Sequence, residues 1–85
     1  MRRYVVIAEA YYEDKLSFAQ CLGVYADCNT AVGKGYLYMT ELIGKNTDYK
    51  ISTDYEFEVD TGFGFHSEYG KSRDEIKIYF DDTKD

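Results

Sequence analysis

Residues Tyr49 to Tyr69 read YKISTDYEFEVDTGFGFHSEY, and their alternation decides the fold. Tyr49, Ile51, Thr53, Tyr55, Phe57 and Val59 hold the odd positions, while Lys50, Ser52, Asp54, Glu56, Glu58 and Asp60 hold the even ones. A period of two gives a long β-strand with one packed face and one wet face. Asp60-Thr61-Gly62 then suits a three-residue hairpin loop, a type I turn closed by a left-handed glycine. The chain returns with Phe63, Phe65 and Tyr69 on the packed side. Such a loop sets Val59 opposite Phe63, Glu58 opposite Gly64, Glu56 opposite His66 and Asp54 opposite Glu68.

The same glycines invite a phosphate-loop reading, which fails on context. A phosphate loop opens a helix after a strand and carries a Lys-Ser/Thr pair at fixed spacing. Here the alternation simply resumes. Gly70 to Asp74 reads as a second turn, and Ile76, Ile78 and Phe80 as a last strand before an acidic tail, Asp81 to Asp85.

Upstream, Tyr4 to Tyr12 (YVVIAEAYY) is β-branched and aromatic, a first strand. Glu13-Asp14-Lys15 makes a polar turn, and Leu16, Phe18, Leu22 and Val24 alternate along a second strand. Asp27 is an N-cap candidate before a helical pattern. Cys28, Val32, Tyr36 (or Gly35), Met39 and Ile43 recur at three- and four-residue spacing, and Ala31, Tyr38 and Leu42 widen the stripe. Gly44 closes the helix as a C′ residue. Gly33 and Gly35 each cost about 1 kcal/mol relative to Ala inside a helix, so both are expected where helix and sheet approach too closely for a Cβ. The order is ββαβββ: residues 1–85 form one α+β two-layer domain, an antiparallel sheet with one helix on one face.

Eighty-five residues with 45% apolar content suit one small globular domain. The apolar run Tyr4 to Ala8 is shorter than a signal-peptide core, and no stretch approaches the roughly 18 apolar residues of a membrane span. Cys21 and Cys28 read as small buried hydrophobes rather than as a disulfide framework. A soluble, cytoplasmic chain is expected.

Charge is more informative. The net charge of −6 is unevenly placed: residues 1–47 carry five acids and five bases, residues 48–85 eleven acids and five bases. A nucleic-acid binder needs a Lys/Arg patch, so direct DNA or RNA binding is not expected. His66 is the only histidine. A lone histidine opposite a carboxylate reads as a surface cross-strand pair rather than a base or metal ligand. An EF-hand loop starting at Asp54 would need glycine where Val59 stands. No Ser-His-Asp or Cys-His pattern is present either. No catalytic residue, metal or cofactor is assigned, and an enzyme is not expected.

The acidic line remains. Same-face residues recur about every 6.7 Å along a strand, so Asp54, Glu56, Glu58 and Asp60 make a regular negative row, with Glu68 beside it. Such a row can imitate a nucleic-acid backbone and occupy a basic groove; equally, a wet sheet face must be polar. Tyr11, Tyr12, Tyr25 and Tyr79 are candidate contact residues, because tyrosine offers large area at low entropic cost.

A short, acidic, Tyr-rich, cysteine-poor domain with a helix on a small sheet resembles the inhibitors that phages and mobile elements encode against CRISPR–Cas and restriction systems. The resemblance covers size, charge and layout. It implies a non-enzymatic protein that blocks a nucleic-acid-binding effector, often as a DNA mimic, through a partner's basic surface in the host cytosol. The alternative is a small accessory or structural protein acting through homo-oligomer contacts.

Overall fold

The computed structural model describes residues 2–44, 50–52 and 62–82. Its elements are β1 (Arg2–Tyr12), β2 (Lys15–Tyr25), α1 (Cys28–Ile43), β3 (Lys50–Ser52), β4 (Gly62–Tyr69) and β5 (Ser72–Asp82). The order ββαβββ and the α+β class are as the sequence indicates. The five strands form one antiparallel sheet ordered β2-β1-β5-β4-β3. The N- and C-terminal strands therefore pair at its centre, from Arg2 with Asp82 to Tyr12 with Ser72. Helix α1 carries the chain from the β2 edge towards the β3 edge.

Both tight turns follow from local chemistry. Glu13 and Asp14 both have positive φ, 52° and 65°, as a two-residue type I′ turn requires between Tyr12 and Lys15. Gly70 has φ 57° and leads a two-residue turn between Tyr69 and Ser72. The turn expected over Gly70 to Asp74 is thus tighter, because glycine first reverses the chain in two residues. Asp81 and Asp82, expected in an acidic tail, are strand residues instead. Their backbones pair with Arg3 and Arg2, and Arg2 Nε donates to Asp82 Oδ1 at 2.8 Å.

The core lies between α1 and the sheet. Val6 and Ala8 of β1, Ile76 and Ile78 of β5 and Phe65 of β4 meet Ala31 and Met39 of the helix. The Ser67 hydroxyl donates to Met39 Sδ at 3.0 Å within this layer, so β4 and α1 are also joined by a buried polar contact. Asp27 caps the helix as expected, its carboxylate accepting from Thr30 N at 2.8 Å. Gly44 ends it in the right-handed region, φ −58°, with its N–H on Thr40 O, rather than in a left-handed turn.

The fully buried helix line is Ala31, Gly35 and Met39, with Val32, Tyr38 and Leu42 packed beside it. Val32 is half-buried and Tyr36 is 45% exposed, its ring tilted against Phe65. The cause is Gly35. A Cβ there would lie 2.7 Å from Ile76 Cγ2 and 3.3 Å from Phe65 Cζ, so the helix sits closest to the sheet at that residue. Gly33 has nothing within 4 Å and so makes no close approach to the sheet. Cys21, expected to be buried, is exposed on the edge strand and Cys28 is half-buried at the helix start, both as free thiols.

The β3–β4 register also differs. Lys50 stands opposite Glu68 and Ser52 opposite His66, four residues away from the expected pairs Asp54 with Glu68 and Glu56 with His66. An even shift leaves every side chain on its original face. Hydrophobic alternation therefore cannot distinguish the two registers. The expected loop at Asp60-Thr61 and the row Asp54, Glu56, Glu58 and Asp60 lie outside the described residues, whereas Gly62 is already part of β4.

Candidate functional site

The helix covers one sheet face, and the opposite face gathers the charged side chains. Alternation from the buried Val6 and Ala8 places Glu9 and Tyr11 of β1 on that second face. Their neighbours there are Arg73, Glu75, Lys77 and Tyr79 of β5, with His66 and Glu68 of β4. Glu9 and Glu75 are directly opposed, an arrangement that repels by itself. Lys77 resolves it: Nζ lies 2.8 Å from Glu9 Oε1 and 4.0 Å from Glu75 Oε1. Arg73 continues the ladder, with Nε 2.8 Å from Glu75 Oε2 and Nη1 3.0 Å from Asp14 Oδ1. Glu75 is only 6% exposed.

Tyr11 packs into this ladder. Its hydroxyl donates to Glu9 Oε1 at 3.1 Å, and the Arg73 guanidinium stacks 4.7 Å from its ring centre. The bond to Glu9 holds the Lys77 ammonium well above the usual lysine range despite burial. Arg73 is raised in the same way, chiefly by its bond to Glu75. Burial, first of all, raises the Tyr11 phenol. At one end of the face the two hairpin turns meet, as Glu13 N donates to Lys71 O at 3.0 Å and Lys71 Nζ pairs with Glu13 Oε1 at 3.0 Å. An open cleft of about 230 Å³ lies there, between Asp14, Glu68 and Arg73.

Of the residues expected at a binding surface, Tyr11, Glu68 and Tyr79 share this face. Glu68 is exposed, and its Oε1 lies 3.6 Å from His66 Nε2. Tyr79 is 39% exposed. Tyr12 and Tyr25 belong to the helix side of the sheet. Tyr12 stands exposed at the end of β1, while Tyr25 is half-buried and packs on the core. The Arg73-Glu75-Lys77 ladder with Glu9 was not singled out from the sequence. Its signal was present: residues 73, 75 and 77 alternate with Ile76 and Ile78, and Glu9 interrupts an apolar strand.

This arrangement makes a charge-matched plate whose cations already hold carboxylates. Among the described residues no group of three His, Cys, Asp or Glu could hold a metal, and no helix is long and apolar enough to cross a membrane. Comparison with protein-family models, with curated proteins and with solved structures found no match.

Proposed function

We propose that this chain is a non-enzymatic acidic binding protein, of the anti-CRISPR kind, that inhibits a nucleic-acid-binding effector in a host cytosol. One observation carries the reading: the described scaffold nearly neutralises its own charge. It holds ten acids and eight bases, and Arg2, Lys71, Arg73 and Lys77 each pair with a carboxylate. Residues 53–61 hold Asp54, Glu56, Glu58 and Asp60 with no base, and the remaining residues balance. Four of the six net negative charges therefore belong to one nine-residue stretch. Four carboxylates at two-residue spacing with no base among them, in a chain whose described part is nearly neutral, support recognition of a basic, phosphate-binding groove. Glu68, Tyr11 and Tyr79 would flank the contact.

The test is a pull-down from host lysate with wild type and the variant Glu56→Lys/Glu58→Lys/Asp60→Lys, followed by competition with duplex DNA. Capture of a nucleic-acid-binding effector is expected, weakened steeply by salt, displaced by DNA and lost in the variant. A variant that keeps the same partner at the same salt sensitivity would refute the reading.

A further inference from the structure

We infer that β2 is a homodimer interface, pairing antiparallel with β2 of a second copy about a two-fold axis through Gln20. Three observations converge on it. First, among the described residues β2 is an edge strand of eleven residues, paired with β1 on one side only. Within that described sheet its other side offers backbone N–H and C=O groups with no strand partner, which soluble proteins ordinarily guard with charges or proline. Second, that guard is missing. Leu16 to Ala26 contains no charged residue and no proline, in a chain that is 31% charged. Leu16, Phe18 and Val24 are each more than half exposed.

The third observation names the occupant. Opposed residues in an antiparallel pair lie on the same face, and a two-fold axis perpendicular to the sheet preserves faces. The register with β1 places Leu16, Ala19, Cys21 and Val24 on the ladder face, and Phe18, Gln20 and Gly23 on the helix face. Leu22, the extra residue between Cys21 and Gly23, packs on the core and so also belongs to the helix face. With the axis at Gln20, Leu16 meets Val24 of the second copy, Phe18 meets Leu22 and Ala19 meets Cys21. Each of these three pairs shares a face and sets apolar against apolar, and the two Gln20 amides meet each other. Moving the axis to Ala19 sets Leu16 against Leu22 on opposite faces. Moving it to Cys21 sets Phe18 against Val24, again on opposite faces. The strand is complementary to itself in one register. The resulting ten-stranded sheet carries β3 at both outer edges, nine strand spacings or about 43 Å apart.

Equilibrium sedimentation and cross-linking test the register. Wild type is expected to sediment at twice 9.9 kDa at micromolar concentration. Phe18→Lys/Val24→Lys is expected to sediment as a monomer with unchanged circular dichroism, since both side chains are already exposed. Gln20→Cys, in a Cys21→Ser/Cys28→Ser background, should form a disulfide-linked dimer under mild oxidation, because directly opposed Cα atoms lie about 4.5–5.5 Å apart. Native Cys21 should not link to its copy, since their Cα atoms would lie about 8 Å apart. A monomeric wild type, or a dimer that survives Phe18→Lys/Val24→Lys, overturns the interface. Oxidation that links Cys21 but not Gln20→Cys overturns the register.

Discussion

Gly33 and Gly35 are two residues apart on one helix and face opposite circumstances. Gly33 has open space where a Cβ would stand, so it only pays the helix-propensity penalty of about 1 kcal/mol. Gly35 has Ile76 Cγ2 at 2.7 Å, on a fully buried β-branched side chain with little room to move. Overpacking there costs about 1–3 kcal/mol, enough to outweigh the propensity gained. Gly33→Ala is therefore expected to raise Tm by about 4–8 °C for a domain of this size. Gly35→Ala is expected to lower Tm. Thermal melts of the two variants check the opposite signs, and a rise for both would show that helix and sheet are not in close contact at Gly35. Both glycines were legible in the sequence as costs, but nothing local says which one meets the sheet.

At the level of the element, the central β1–β5 pair places Glu9 opposite Glu75 and depends on Lys77 to hold them together. Lys77→Met would leave two largely buried carboxylates facing each other. Breaking a fully buried pair costs about 3–5 kcal/mol; with Lys77 21% exposed, roughly 2–4 kcal/mol is expected. Glu9→Gln in the same chain should restore part of that loss. A double-mutant cycle by urea unfolding should give a coupling of about 0.5–3 kcal/mol, and additive losses would show that the pair is not coupled. Alkaline pH probes the same contacts. The folded-state pKa of Lys77 is raised, so its stabilisation is complete below the unfolded value of about 10.4 and is lost as pH rises through the folded value. Tyr11 and Tyr38, both raised mainly by burial, act in the same direction from about pH 10. Urea midpoints should therefore fall above about pH 10, and less steeply in Lys77→Met.

Across the whole molecule, the chain's two ends form the middle of the sheet. β5 holds Ile76 and Ile78, both fully buried, and pairs with β1 on one side and β4 on the other. A chain ending at Lys71 loses the strand that joins β1–β2 to β4–β3 and is expected to give an unfolded circular dichroism spectrum. Hydrogen exchange on the intact chain should show the slowest amides in β1 and β5, because each is paired on both sides along most of its length, whereas β3 flanks β4 over only three residues. A folded spectrum from the truncated chain would mean that the core does not depend on β5.

Alternating and helical periodicity, with Asp27 as cap and Gly70 as a turn residue, determined the elements, their order and the two-layer class. These signals act within a few residues, and each strand's buried face depends only on parity. Tertiary structure decided everything that depends on which parity-equivalent neighbour is chosen. It set the β3–β4 register four residues from the expected one, an even step that hydrophobic patterning cannot detect. It rotated the helix onto Ala31, Gly35 and Met39, because the absence of one Cβ allows closer packing than a larger side chain would. It brought Glu9, Arg73, Glu75 and Lys77 together across strands more than sixty residues apart in sequence. Charge pairing across that distance follows from strand order alone, and strand order is a property of the assembled sheet.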